Sequence, residues 1–186
     1  MALNRYPGDV LQELKLALAA HADLPEGFGM VVGNGSDELI SMLAIAIDKP
    51  GSVVLAPVPG FVMYEVSARL QGLTYVGVDL APNFDLDVAK MLAAIAQYRP
   101  ALVYLAYPNN PTANSWADED IDVIVTAVGA VGGLVVIDEA YQPFASQTYL
   151  NRAIRHRHVL VLRTLSKFGL AGVRVGYLMG PAEIME

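Results

Sequence analysis

Lys167 and Arg174 stand in "TLSKFGLAGVRVGYLMG" (164–180), a run that is otherwise apolar, small or hydroxylated. An ammonium group in interior surroundings is costly unless it is paired, neutralised or used chemically. The plain alternative is a lysine whose stem lies along the surface with its head in water. Two hydroxyls, Thr164 and Ser166, precede this lysine, and Arg174 adds a permanent cation. Together with free helix amides, such groups describe a phosphate pocket. A lysine beside that pocket is expected in low dielectric and near other cations, surroundings that favour the neutral amine. A lysine poised in this way is a Schiff-base nucleophile.

Four other stretches carry complementary groups. In "VVIDEAY", Asp138 ends an apolar strand, where a carboxylate needs a partner or a cationic ligand, and Tyr141 follows three residues on. The alternative there is a helix N-cap. "VVGNGSDEL" (31–39) is an apolar run, a glycine turn and a helix start, whose amides with Ser36 would hold an anion. Ordinary capping by Asn34 or Ser36 is the competing reading, with Asp37 and Glu38 complementing the helix dipole. "YPNNPT" (107–112) offers the amides of Asn109 and Asn110, or is simply a turn. "PGFVMY" (59–64) offers Phe61 and Tyr64, as a platform for a flat ligand or as core.

These groups need elements to bring them together. Helices are expected over about 9–22, 36–48, 61–71, 85–97, 118–131 and 147–156. Strands are expected at "VVLA" (53–56), "TYVGV" (74–78), "ALVYLAY" (101–107), "LVVID" (134–138), "VLVLR" (159–163) and "VGYLMG" (175–180). Several are apolar on both faces, as in a parallel sheet covered by helices. The alternation predicts an α/β, doubly wound architecture with a mostly parallel sheet flanked by helices. Ligands of such sheets bind beyond the carboxyl ends of the strands. Four strand exits carry the groups above: "VVLA" runs into "PVPGF", "ALVYLAY" into "PNNPT", "LVVID" into "EAY" and "VLVLR" into "TLSK".

The bulk numbers agree with one domain of 186 residues, 54% hydrophobic and 17% charged, large enough for a real core. A net charge of −7 speaks against a nucleic-acid surface. The one basic cluster, "RAIRHRH", reads as a solvated helix end. With no cysteine, thiolate metal sites and disulfides are excluded, and the three histidines read as surface residues with no metal expected. No signal-peptide core opens the chain and no stretch reaches the ~20 apolar residues of a membrane span. A soluble, cytoplasmic protein with no membrane partner is the expectation.

The pieces converge on one cofactor. An amine for an imine, an acid for a pyridinium nitrogen and an aromatic for stacking are present. So are an amide and a phenol for a ring oxygen, and a cup for a phosphate. These are the needs of pyridoxal 5′-phosphate.

The ordered set "GNGSDELI", "PGFVMYEV", "YPNNPT", "VVIDEAY" and "TLSKFGLAGVRVGYLMG" resembles the fold type I pyridoxal-phosphate aminotransferases, most closely their histidinol-phosphate branch, and "LNRYP" (3–7) points the same way. The resemblance implies that Lys167 joins the cofactor covalently and that Asp138 pairs with the pyridine nitrogen. Tyr141 and Asn110 would hydrogen-bond the ring oxygen, and Phe61 would stack on the ring. Gly35, Ser36 and Asp37 through their backbone, with Thr164, Ser166 and Arg174, would hold the phosphate. Tyr6 would reach the phosphate of a partner subunit's cofactor, so a homodimer is implied. The implied reaction is amino transfer from L-histidinol phosphate to 2-oxoglutarate.

Three departures stand out. Ala113 occupies a position where many relatives have glycine, which implies a slightly different turn. Lys167 and Arg174 are one residue closer than in many members. Members also carry an N-terminal arm and a C-terminal small domain, so residues 1–186 are expected to be the cofactor-binding large domain. Substrate-gripping residues would then lie elsewhere, with little turnover by these residues alone. Two rival readings stay open: a related enzyme such as a threonine-phosphate decarboxylase, and a catalytically silent fragment.

Overall fold

Residues 10–185 are described by a computed structural model in which the expected alternation closes into one sheet. The order is α1 (Val10–Ala22), β1 (Phe28–Asn34), α2 (Ser36–Ala46), β2 (Val53–Val58), α3 (Met63–Leu70) and β3 (Thr74–Asp79). There follow α4 (Val88–Tyr98), β4 (Leu102–Ala106), α5 (Asp118–Ala130), β5 (Leu134–Asp138) and α6 (Leu150–Ala153). The last elements are β6 (Val159–Thr164), β7 (Val175–Pro181) and α7 (Ala182–Met185). The seven strands lie in the order β1-β7-β6-β5-β4-β2-β3. Neighbours from β3 to β6 are parallel, whereas β7 is antiparallel to both β6 and β1. The sheet is therefore mixed but mostly parallel.

Alternation along each strand divides the core into two layers. Val103, Leu105, Val135, Ile137, Val159 and Val161 face α4 and α5, while Leu102, Tyr104, Val136, Leu160 and Leu162 face α2 and α3. Strands β4 and β6 are buried at every residue, which accounts for their unbroken apolar run.

The six strands expected from the sequence all form, and β1 is an addition. Only Met30 of its seven residues is buried, so it shows no strand periodicity. Its glycines have a packing role instead. A Cβ at Gly29 would lie 2.8 Å from Met185 Cβ, and one at Gly33 would lie 2.8 Å from Leu39 Cγ. The helix expected over 147–156 shrinks to the single turn of α6, because Thr148 and Tyr149 are drawn to Glu139. "RAIRHRH" is consequently no solvated helix end. Arg152 pairs with Asp118 at 3.0 Å and with Asp122, both on α5. Nor are all the histidines on the surface: His158 is half-buried, a ring nitrogen 2.9 Å from the Val125 carbonyl. Among the described residues no helix is long and apolar enough to cross a membrane.

The turn after β4 keeps the conformation a glycine favours. Ala113 has φ +62°, and its N–H donates to the Asn109 carbonyl at 2.8 Å. A left-handed alanine costs roughly 1–2 kcal/mol, and glycine's added unfolded-state freedom offsets about 0.4–1 kcal/mol of any relief. Ala113→Gly should therefore stabilise the protein by about 0.5–1 kcal/mol. A higher urea midpoint is the expected reading, and an unchanged or lower one would show the turn to be unstrained.

Candidate functional site

The sheet topology sets where a site can form. From β2 the chain moves outward to β3, then returns to place β4 on the other side of β2. The crevice at such a reversal opens beyond the carboxyl ends of the strands. Because β7 runs antiparallel, its first residues reach the same rim, as do the last residues of β1. A cavity of about 210 Å³ lies there.

One end of the cavity gathers groups that could hold an anion. Helix α2 starts after Gly35 (φ +83°), and no side chain caps it. The competing reading, capping by Asn34 or Ser36, gives way to an open first turn. Glu38 turns back to accept the Asn34 N–H at 2.5 Å, and Asp37 Oδ2 lies 4.0 Å from Arg174 Nη2. Gly35 is favoured by its backbone, and a side chain there would also displace the tip of Arg174. Its φ suits glycine, and a Cβ would sit 2.7 Å from the Arg174 guanidinium. Gly176 lets β7 press on the same turn, since a Cβ there would lie 2.4 Å from Gly35 C and 2.5 Å from Ser36 N. Thr164 Oγ1 accepts the Ser166 N–H at 3.2 Å and lies 3.1 Å from the Val175 carbonyl, fixing the turn that carries both hydroxyls. Ser36, Asp37, Thr164, Ser166 and Arg174 all line the cavity.

The other end holds an acid. Asp138, 4% exposed, ends β5 on the same face as Tyr104 and Val136. Its Oδ1 accepts the Ala140 N–H at 2.9 Å and its Oδ2 accepts the Tyr64 hydroxyl at 2.6 Å. One oxygen thus makes the local turn contact that a capping role would give, and the other reaches across the sheet to α3. Burial pushes this carboxyl from 3.8 up to about 6, against the two hydrogen bonds, with smaller upward contributions from Glu139 and Asp37. Glu139 points to the opposite face, where its carboxylate takes the Arg163 Nε–H at 2.8 Å and the Tyr149 N–H at 2.6 Å. This buried pair braces the strand end from behind, and nothing in local periodicity announces it.

Between these ends lie Phe61, Asn110, Tyr141 and Lys167. The two asparagines divide their labour. Buried Asn109 donates through Nδ2 to Pro59 O at 3.2 Å and Thr112 Oγ1 at 2.8 Å, leaving Asn110 to face the cavity. Lys167 sits on a 3-10 turn (Leu165–Phe168), with Nζ 5.0 Å from the Tyr141 ring centroid. The low-dielectric setting expected for Lys167 is corrected here, because the residue is exposed at the cavity mouth. Arg174 is exposed as well. The apolar neighbours Phe168, Leu170 and Val173 are themselves on the surface, so an apolar run did not mean an interior one.

Of the residues singled out from the sequence, Gly35 lies under Arg174 rather than in the lining, and Tyr6 falls outside the described residues. Tyr64, core or platform by its sequence, is part of the core with its hydroxyl turned to the cavity acid. It is fully buried, stacked on Tyr104 at 4.2 Å with a 3° interplanar angle, and its hydroxyl reaches Asp138. Phe61 meets the Tyr64 ring edge-on at 5.6 Å.

Residues 2–186 match the family described as aminotransferase class I and II. A histidinol-phosphate aminotransferase of Polaromonas naphthalenivorans is 64% identical over 185 residues, covering all of this chain and 51% of that protein. One from Methylibium petroleiphilum is 65% identical over 185 residues, again all of this chain and 50% of that protein. Among solved structures, a histidinol-phosphate aminotransferase from Sinorhizobium meliloti in complex with pyridoxal-5′-phosphate matches with a TM-score of 0.83 at 29% identity. That match covers 95% of this chain and 48% of the other. The chain spans about half the length of the curated relatives it matches.

Proposed function

The chain belongs to the class I and II aminotransferases, and from that membership we propose that it is the cofactor-binding large domain of a pyridoxal-phosphate enzyme. The reaction is amino transfer from L-histidinol phosphate to 2-oxoglutarate, giving imidazole acetol phosphate and L-glutamate, a step of histidine biosynthesis. The named relatives support the choice of donor. The observation that carries the cofactor reading is one cavity with an uncapped helix start and a guanidinium at one end and a buried acid at the other.

The residues suit that group. Backbone N–H groups of Ser36 and Asp37, the hydroxyls of Thr164 and Ser166 and the Arg174 guanidinium would hold its phosphate. Phe61 would cover one face of the ring, and Asn110 and Tyr141 would hydrogen-bond the ring oxygen. Asp138 would take the pyridine N–H. Pyridoxal 5′-phosphate supplies an electron sink for the pair left at the substrate Cα. Lys167 would take the proton from the substrate Cα as general base and, as general acid, deliver it to the C4′ carbon of the cofactor. The Tyr141 ring beside Nζ helps to aim the amine into the cavity.

The molecule would act as a cytoplasmic homodimer, with Tyr6 reaching the phosphate in a second copy. Exposed Phe168, Leu170 and Val173 beside the cavity mouth, and Met42 and Ile45 on α2, favour a covered surface there. Orientation of the substrate supplies much of such a rate, and in this reading it comes from parts outside residues 1–186.

Reduction with borohydride after incubation with pyridoxal phosphate is the test. The pyridoxyl label should lie on the peptide containing Lys167, while the same 186 residues form little or no glutamate from histidinol phosphate and 2-oxoglutarate. A label confined to Lys15, Lys49 or Lys90 would sink the assignment. Vigorous glutamate formation would show that the substrate-gripping residues lie within the chain.

A further inference from the structure

Tyr64 has no role in the steps above, yet its position is tightly specified. Its ring lies flat on Tyr104, its edge meets Phe61, and its hydroxyl is 2.6 Å from Asp138 Oδ2. A phenylalanine would fill the same space. The hydroxyl is therefore surplus to packing, and in this buried setting a polar group is retained at a cost unless it is used.

We infer that Tyr64 is a positioning residue whose hydroxyl holds the Asp138 carboxylate ionised and oriented for the pyridine nitrogen of the cofactor. The inference rests on the cofactor reading of the site. A phenol donating to a carboxylate favours the charged form. With Oδ2 held by Tyr64 and Oδ1 by the Ala140 N–H, neither oxygen can rotate away from the cavity without breaking a bond. The rest of the surroundings work against ionisation. Burial opposes it, and Glu139 and Asp37 are both acidic. Glu139 is partnered by Arg163 on the far face of the sheet. Tyr104 supports the Tyr64 ring but gives its own hydroxyl to the Ile40 carbonyl. Lys167 and Arg174 line the same cavity and are exposed. Among the described residues, Tyr64 is the one side chain hydrogen-bonded to Asp138.

The experiment compares the parent chain with Tyr64→Phe and Tyr104→Phe, each labelled with ¹³C at the aspartate carboxyl, with Asp138→Asn identifying the resonance. In the cofactor-free protein, Tyr64→Phe should raise the Asp138 midpoint by about one pH unit or more, and Tyr104→Phe should leave it in place. Pyridoxal-phosphate affinity, titrated against pH, should then lose its acid side at correspondingly higher pH in Tyr64→Phe. It should match the parent where Asp138 is ionised in both. Coincident midpoints overturn the inference, as does an affinity loss of equal factor at every pH, which is what packing alone would produce. Failure of the parent chain to bind pyridoxal phosphate at any pH would overturn the proposed function instead, leaving the Asp138 midpoints to decide whether Tyr64 controls the acid.

Discussion

Replacing Lys167 by arginine or alanine in the complete enzyme is expected to lower turnover by about 100- to 10,000-fold, the range that a positioned proton-transfer group contributes. Arginine keeps the charge near Tyr141 but is effectively never deprotonated, so it cannot serve as a base. The two variants should therefore be similarly impaired, which separates a chemical role from simple charge. Among the described residues no other lysine lines the cavity, and Lys90 is held at 2.9 Å by Asp87. Because Lys167 is exposed, neither change should move stability by more than about 0.5 kcal/mol. Single-turnover kinetics and a thermal melt check the two halves. Retained turnover in Lys167→Arg would remove the lysine from the chemistry.

Asp138→Asn should divide function from stability. The folded protein holds this carboxyl at about 6 against 3.8 for an unperturbed group, so it binds more protons than the unfolded chain between those values. A carboxyl shifted upward costs stability as pH rises through that window, and the cost persists above it. About two units at roughly 1.4 kcal/mol each amount to about 3 kcal/mol near neutral pH. Asparagine avoids that burden. It can still accept the Ala140 N–H through its carbonyl and present its amide to the Tyr64 oxygen. Cofactor-free Asp138→Asn should accordingly be more stable than the parent at pH 7, with the gain fading below about pH 4. The same variant has no counter-charge for a pyridinium, so its loss of turnover should fall mainly on the chemical step, with kcat reduced far more than substrate affinity. Urea unfolding across pH and steady-state kinetics read the two effects. Near-normal turnover would reduce Asp138 to a turn-forming residue. A loss of stability at neutral pH would show that the carboxylate is well paired where it stands.

The elements were largely legible because their signals are local. Strands β4, β5 and β6 are short apolar runs bounded by polar turns, and α2 to α5 carry one-sided apolar patterns. Strand β1 was not legible, since its glycines answer to Met185 and Leu39 rather than to the strand's own alternation. Nor was the shortness of α6, which Glu139 sets from the end of another strand.

The same division runs through the site. Residue types and order along the chain were enough to nominate Lys167, Asp138, Tyr141, the Asn109–Asn110 pair and a phosphate cup, because chemistry depends on functional groups and strand exits are predictable places for them. Residue type could not determine exposure. Lys167 and Arg174 lie in an apolar run yet sit at the surface, since burial depends on what packs over a segment. It could not separate Asn109 from Asn110, whose difference is set by the Pro59 carbonyl. It could not pair Tyr64 with Asp138, a contact across 74 positions made by crossing from one strand exit to another. Local sequence determined most of the elements, β1 and the length of α6 excepted, and the groups they carry. Which groups face one another, and with what charge, was decided by the packing of the sheet and its helices, because those energies arise from contacts between residues far apart in the chain.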